Sequence, residues 1–141
     1  MRYVGVDLGE RRIGLAVSDA SATLARPLRT IERNRSDEEA ASALLDAIAE
    51  LHAEDEVSGV VVGLPTRLDG SASNQTARVQ KMVDLLTPRL HVPIAMQDER
   101  LSSHEAEERL AVRERDWRKR KAKLDAASAA VILQDYLDAH K

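Results

Sequence analysis

Residues 3–19 read YVGVDLGERRIGLAVSD, and this stretch decides the fold. Two short apolar runs, 3–7 and 13–17, flank a charged turn, which is the pattern of a β-hairpin. Asp7 ends the first run at a position where an apolar side chain would pack better. Because an unpaired buried carboxylate is costly, a chain that keeps one usually uses it to hold a metal ion or a phosphate group. Gly14, in the second run, is expected to let another backbone or a helix pack closely on the sheet.

The sequence on the C-terminal side of this hairpin predicts an α/β fold. A third strand over 23–31 is interrupted by Pro27, which favours an edge position, and Ser36 with Glu39 forms the capping box of a first helix. The continuous apolar run 57–62 is typical of a parallel strand that is covered on both faces. The remaining predicted elements are helices at about 74–90, from 102 or 103 to about 112, and at 124–139, and a strand at 92–97. This order predicts a mixed sheet with helices on its faces.

Length and composition are those of an ordinary soluble protein. At 141 residues, with 32% charged and 43% hydrophobic residues, the chain is expected to form a single domain over 1–141. The sequence contains no cysteine, which excludes disulfides and thiolate metal sites. No apolar run approaches the ~20 residues of a membrane span, and the N-terminus reads as a strand rather than a signal peptide. We therefore expect a cytoplasmic protein.

The net charge of −3 conceals a strongly basic segment at 109–123. This basic segment carries eight basic and two acidic residues and is therefore +6, which leaves −9 for the rest of the chain. Such a block predicts either a nucleic-acid contact surface or a solvated helix face or loop, and its charge alone does not separate the two. Trp117 within it suits either stacking on a base or anchoring to the core. The basic residues are Arg109, Arg113, Arg115, Arg118, Lys119, Arg120, Lys121 and Lys123.

Carboxylates at three separated places are the candidate catalytic groups. Asp98 and Glu99 end the fifth predicted strand, and the carboxyl ends of parallel strands meet at one edge of a sheet, so Glu99 and Asp7 are expected to lie close together. Arg100 offers Glu99 a plain ion pair as an alternative. Asp125 opens the last predicted helix, where the helix dipole alone would favour a carboxylate. Converging carboxylates suit Mg²⁺ or Mn²⁺, and two such ions about 4 Å apart can hydrolyse a phosphodiester.

Four sequence blocks resemble those of the YqgF family of pre-ribosomal RNA nucleases, also described as Holliday-junction-resolvase-like. The resemblance spans nearly the whole chain and implies a ribonuclease H-like fold with a mixed five-stranded sheet, antiparallel at its N-terminal strands and then parallel. It also implies a nuclease that uses Mg²⁺ or Mn²⁺, with two ions expected, and that processes the 5′ end of pre-16S rRNA. The blocks are GVDLGERRIGLAVSD (5–19), VVVGLPTRLDGS (60–71), DERLSSHEAEERL (98–110) and LDAASAAVILQDYLD (124–138).

The resemblance assigns roles to particular residues of this chain. It implies that Asp7, Glu99 and Asp125 form an acidic triad that holds the metal ions and carries the catalysis. The phosphate backbone would then be held by arginines near these carboxylates and by the basic segment. For Arg11 and Arg12 at the hairpin tip, a solvated tip is the open alternative. The expected substrate-binding residues are Arg12, Arg100, Arg113, Arg118, Lys119, Arg120 and Lys121.

Three other functions remain open on sequence grounds. A resolvase of four-way DNA junctions would share the chemistry but would need a symmetric dimer, and we expect a monomer or weak dimer. A non-enzymatic nucleic-acid-binding module would keep the basic segment without metal. A phosphate-binding domain of the sugar kinase and actin type shares the hairpin turn but requires two such domains. We therefore expect pre-rRNA as the first partner, possible contact with the ribosome or its small subunit, and no membrane.

Overall fold

The computed structural model describes residues 1–9, 11–33, 36–64, 74–98 and 117–140, with the backbone alone at 74–75 and 117–123. Five strands and three α-helices are present in these ranges. Within them, no helix combines the length and apolar character that crossing a bilayer requires. In chain order the elements are β1 (Arg2–Leu8), β2 (Arg12–Ser18), β3 (Ala25–Glu32), α1 (Asp37–Glu54), β4 (Val57–Leu64), α2 (Asn74–Leu86), a 3-10 turn (Thr87–Arg89), β5 (Ile94–Asp98) and α3 (Trp117–Ala139).

The five strands form one mixed sheet in the order β3-β2-β1-β4-β5. The pairs β1–β2 and β2–β3 are antiparallel, whereas β1–β4 and β4–β5 are parallel. This confirms the predicted sheet, including the hairpin of 3–17 and the edge position of the strand that contains Pro27. β1 lies at the centre of the sheet, between β2 of the antiparallel half and β4 of the parallel half. Residues of both halves therefore lie next to residues of β1.

The two faces of the sheet are covered by different helices. One face packs Val4, Val6 and Leu15 against α1 and α2 in the larger apolar cluster. The other face packs Ala16 and Val61 against α3 in a smaller cluster. Because successive side chains of a strand point to opposite faces, this division fixes which strand residues face α3. On β1 these are Tyr3, Gly5 and Asp7.

Glycines on β1 and β2 allow α3 to lie directly on the sheet. A Cβ added at Gly5 would come within 2.8 Å of the Ala129 carbonyl oxygen, and one added at Gly14 would overlap the carbonyl oxygen of Asp125. Any side chain larger than hydrogen would therefore push α3 away from the sheet. The expected close packing at Gly14 is confirmed, and the element that packs there is α3.

At its C-terminal half α3 also covers the start of the edge strand β3. The Gln134 side-chain amide accepts a hydrogen bond from Ala25 N (2.9 Å) and donates one to Thr23 O (2.9 Å). A single side chain thus satisfies one backbone donor and one backbone acceptor of the edge. α3 is therefore attached to the sheet by polar as well as apolar contacts.

Two predicted helix boundaries are wrong. The last helix begins at Trp117 rather than at 124, because 117–123 consists mainly of Lys, Arg and Ala, which are good helix formers, and contains no Gly or Pro. The helix expected over 74–90 ends at Leu86, and a 3-10 turn containing Pro88 follows it, since Pro cannot continue an α-helix. The predicted Ser36 cap is confirmed, with Ser36 Oγ accepting from Glu39 N at 3.3 Å. The helix expected at 102–112 lies outside the described residues.

Candidate functional site

Asp7 is a buried carboxylate on the face of the central strand that α3 covers. Its Cα is paired across the hairpin with Gly14, and the residue is 8% exposed. Gly5, two residues earlier on β1, contacts Ala129 and Leu133 of α3, and strand alternation puts Asp7 on the same face. The sequence pattern correctly indicated a carboxylate in a buried strand.

Asp125 lies on α3, directly above the hairpin end that carries Asp7. Its backbone lies against Gly14, and its Oδ1 would be 3.7 Å from a Cβ at Gly9. Since Gly14 is the cross-strand partner of Asp7, both carboxylates come to the same end and the same face of the sheet. Asp125 lies eight residues beyond Trp117, so its expected place in a helix's first turn is wrong. The helix dipole, which acts within the first turn, does not account for it.

Arg12 joins Asp125 to the hairpin. The Arg12 Nε donates a hydrogen bond to Asp125 Oδ2 at 2.8 Å, with side-chain exposures of 27% and 24%. Arg12 alternates with Gly14 along β2 and therefore faces α3, whereas its neighbour Arg11 is exposed. Arg12 thus has a defined partner, and the solvated-tip alternative describes Arg11 instead.

The other residues expected at the site are placed only in part. Glu99, Arg100 and Arg113 lie outside the described residues. β5 ends at Asp98, whose Cα is paired with Leu64 at the end of β4. Within the described ranges, no group of three or more His, Cys, Asp or Glu residues could hold a metal ion. Arg118, Lys119, Arg120 and Lys121 belong to the beginning of α3.

Arg33, which we did not predict from the sequence, fixes the hairpin turn beside Asp7. Its side chain donates to Gly9 O (3.1 Å) and pairs with Asp37 (2.6 Å), and its backbone N donates to Arg11 O (2.8 Å). Lys81 of α2 approaches the second carboxylate oxygen of Asp37 at 3.4 Å. The hydrogen bond from Arg33 holds the pKa of Asp37 below its usual range, and Lys81 adds to this effect. The turn is thereby tied to both helices of the opposite face.

Gln97 is a second polar residue that the sequence did not single out. Gln97 is paired with Gly63 on β4. Val6 of β1 pairs in parallel with Val62 of β4, so the next residues along the two strands, Asp7 and Gly63, lie at the same level. Gln97 therefore faces α3 in the same row as Asp7. Since the residue between them is a glycine, no side chain of β4 separates the two. A polar residue directly after the apolar residues Ile94–Met96 of this strand was the available signal.

The donors gathered at this end of the sheet are suited to a hard cation. Asp7 and Asp125 offer carboxylate oxygens, and the chain has no cysteine. Oxygen donors are the preferred ligands of Mg²⁺ and Mn²⁺, whereas Zn²⁺ sites usually include His or Cys. The chemistry of this donor set therefore fits the divalent ion that the sequence predicts.

The sequence matches one protein family over nearly its whole length. The model of the family described as "RuvX: Holliday junction resolvase" matches residues 1–139. The chain belongs to the RuvX family. This confirms the resemblance to the YqgF family that the four sequence blocks carry.

Curated RuvX relatives match this chain from end to end. A protein of Anaeromyxobacter sp. (strain K) is 44% identical over 138 residues, which cover 98% of this chain and 97% of the relative. A protein of Levilactobacillus brevis is 39% identical over 142 residues, covering 99% and 95% of the two chains. Both relatives are named "Putative pre-16S rRNA nuclease".

Solved structures similar to this RuvX chain share its fold. Thermus thermophilus RuvC in complex with a Holliday junction substrate superimposes with a TM-score of 0.61 at 18% identity, covering 99% of this chain and 95% of RuvC. The yeast mitochondrial Holliday junction resolvase Ydc2 gives a TM-score of 0.51 at 12% identity, covering 96% of this chain and 78% of Ydc2. The expected ribonuclease H-like fold with its mixed five-stranded sheet is confirmed.

Proposed function

We propose that this chain is a nuclease that hydrolyses phosphodiester bonds at the 5′ end of pre-16S rRNA. Membership of the RuvX family makes it a nucleic-acid hydrolase, and the names of its curated relatives favour pre-16S rRNA as the substrate. The observation that carries the proposal is the meeting of Asp7 and Asp125 at one end of the central hairpin. The two carboxylates come from distant parts of the chain and meet beside Gly9 and Gly14.

The proposed metal ligands are Asp7, Asp125 and Glu99. Asp7 and Asp125 face the same space between the sheet and α3. Glu99 directly follows the last residue of β5, which the parallel register brings level with the end of β4. Bound Mg²⁺ or Mn²⁺, in a pair of ions, would supply a metal-activated water and stabilise the leaving oxygen of a phosphodiester.

Basic residues of the chain would hold the nucleic-acid backbone at these carboxylates. Arg12 lies beside Asp125, and Arg100 follows Glu99 in sequence. Arg118 to Lys121 begin α3, the helix that carries Asp125, so contact of the basic segment with phosphates would orient the strand toward the site. Arg113 belongs to the same segment. Arg33 would act indirectly, because its hydrogen bond to Gly9 O fixes the turn between Asp7 and Arg12.

The decisive test is the cleavage of end-labelled pre-16S-like RNA by the wild type and the Asp7→Asn variant, with Mg²⁺, Mn²⁺ or EDTA. Asn keeps the volume of Asp but removes the charge that binds a cation, so we expect activity to fall by at least about a hundredfold while the fold is retained. Asp46→Asn is the control, because Asp46 is exposed on α1. Normal cleavage by Asp7→Asn, or cleavage that persists in EDTA, would contradict the assignment.

A second candidate function is the resolution of four-way DNA junctions. The family's own description favours it. The same reactions with a labelled four-way junction separate the two functions, since a resolvase makes paired, symmetric cuts and needs two copies of the chain. RNA cleavage without junction cleavage would support rRNA processing by a monomer or weak dimer, with the cytoplasm and the ribosomal small subunit as its expected setting. Tight binding without cleavage of either substrate would favour a binding module.

A further inference from the structure

The carboxylate proposed to bind metal on α3 already has a positively charged partner. Arg12 Nε lies 2.8 Å from Asp125 Oδ2, and about three-quarters of each side chain is buried, with exposures of 27% and 24%. Hydrogen bonds between ionised groups at this distance are the stronger ones in proteins, and partial burial reduces the screening by water and salt. Arg12 is therefore the resident counter-ion of Asp125.

From this contact we infer that Arg12 and the divalent ion compete for the Asp125 carboxylate, so that metal binding releases Arg12 towards the substrate phosphate. The inference rests on the proposed function, since it takes Asp125 as a metal ligand. A cation that binds Oδ2 competes for the electrons that accept the Arg12 hydrogen bond, and its positive charge repels the guanidinium. The displaced guanidinium has a planar set of donors suited to a phosphate.

This competition has two consequences for the behaviour of the chain. In the metal-free state Arg12 offsets the charge of Asp125 and so keeps α3 attached to the hairpin. In the metal-bound state the same guanidinium is available to nucleic acid. Metal and nucleic acid therefore both favour the state in which Arg12 is released from Asp125. By linkage, metal and nucleic acid then bind cooperatively. Arg12 is a positioning residue that responds to the metal, in addition to its proposed role in substrate binding.

The experiment measures Mn²⁺ binding by calorimetry or by the electron paramagnetic resonance of free Mn²⁺. The proteins compared are the wild type, Arg12→Gln and Arg11→Gln. Arg11 is the adjacent, exposed arginine, so both variants lose one positive charge at nearly the same place. We expect Arg12→Gln to bind Mn²⁺ about threefold to tenfold more tightly than Arg11→Gln, the range expected for losing one partly exposed competing ion pair. The metal-free Arg12→Gln protein is expected to unfold at a lower temperature than metal-free Arg11→Gln.

A second measurement on the wild type does not depend on how well the variant folds. The Arg12 Nε–H resonance, assigned by its loss in Arg12→Gln or by through-bond experiments on the wild type, is followed during a Mg²⁺ titration. We expect its exchange with water to increase as Mg²⁺ saturates the site. An Nε–H signal that stays protected at saturation, or equal Mn²⁺ affinities of the two variants, overturns the competition while leaving the proposed nuclease intact. Absence of divalent-ion binding by the wild type would instead overturn both.

Discussion

Gly14 is the residue on which the position of Asp125 depends most directly. A Cβ at this position would overlap the Asp125 carbonyl oxygen, which belongs to the backbone of α3 and cannot turn aside as a side chain can. At Gly59 the obstacle is different, since a Cβ there would meet the Tyr3 ring at 2.9 Å. The same substitution therefore has two different physical consequences at two glycines of one sheet.

We expect Gly14→Ala to lower the free energy of unfolding by about 3 kcal/mol, because α3 must move outward to relieve the overlap. Gly59→Ala is the matched control and should cost clearly less, since the Tyr3 ring can shift. Urea unfolding followed by circular dichroism measures both. Similar losses for the two variants would show that the packing of α3 against Gly14 is less strict than the structure indicates. Gly14→Ala should also weaken Mn²⁺ binding if Asp125 is a ligand.

The two described carboxylates differ in how far the sequence reveals them. Asp7 is recognisable from the sequence because a carboxylate in an apolar run breaks a local pattern. Asp125 shows no such local contrast, since acidic residues are common in helices, and its importance depends on a contact with Gly14 that lies far away in sequence. Only the family resemblance selected it. The Arg12–Asp125 pair, which joins residues 113 positions apart, has no local sequence signal at all.

Among the secondary-structure elements, the start of α1 connects the hairpin turn to the helical layer on the far face. Asp37 lies in the first turn of α1, between Arg33 from the end of β3 and Lys81 of α2. Arg33 in turn holds the carbonyl oxygen of Gly9. Movement of the α1 start would therefore be transmitted to the turn next to Asp7.

The lowered pKa of Asp37 makes the stability of this connection depend on pH. Because the folded chain binds this proton less readily than the unfolded chain, the stabilisation is complete above the ordinary value of 3.8 and is lost as the pH falls through the lowered pKa of Asp37. We expect Asp37→Asn to be less stable than Glu38→Gln by up to about 1 kcal/mol at neutral pH. The gap should close as the pH is lowered below about 4, as measured by urea unfolding at several pH values.

Glu38→Gln is the appropriate reference because Glu38 is an exposed residue of the same first turn. Both variants remove one negative charge from the start of the helix dipole, so their difference isolates the pairing with Arg33 and Lys81. A difference between the two variants that stays constant from neutral to acidic pH would contradict a role for the ionised form of Asp37.

Most elements follow from local pattern, and the exceptions have identifiable causes. The hairpin, the buried parallel strand and the Ser36 cap are local features, since apolar alternation and a capping residue act over a few positions. The predicted start of α3 is too late because apolar residues at helical spacing begin only at Leu124, although the residues of 117–123 favour helix individually. The end of α2 was predicted too late because apolar spacing outweighed Pro88. The boundaries of an element depend on the balance between small local preferences such as these, whereas the type of element does not.

At the scale of the whole molecule, charge is divided unequally between the two faces of the sheet. α3, which carries four consecutive basic residues directly after Trp117, covers one face, and α1 and α2 cover the other. The overall charge of −3 disfavours indiscriminate binding of a polyanion. Any strong attraction for nucleic acid is therefore expected on the side of α3, which is also the side that Asp7 faces.

We expect Arg118→Gln combined with Arg120→Gln to weaken the binding of single-stranded RNA and to reduce its salt dependence. Each lost phosphate contact lowers the slope of log K against log salt by about 0.7, so the pair should lower it by about 1.4. Arg78→Gln in α2 with Arg89→Gln in the 3-10 turn that follows it removes the same charge on the opposite face and should leave the slope nearly unchanged. Fluorescence anisotropy at several salt concentrations measures both. Equal slopes for the two double variants would show that Arg118 and Arg120 do not contact phosphates and that the basic segment is a solvated part of the helix.

The Gln134 amide has a consequence for how copies of this protein meet one another. An edge strand with free backbone groups can pair with the edge of another molecule, which leads to open-ended aggregation. At the start of β3, Ala25 N and Thr23 O are already bonded to Gln134, so a second chain finds no donor or acceptor at these two positions. Pro27, shortly afterwards, has no backbone N–H to offer. The stretch 23–27 thus hinders the growth of an aggregate through the start of this edge at high protein concentration.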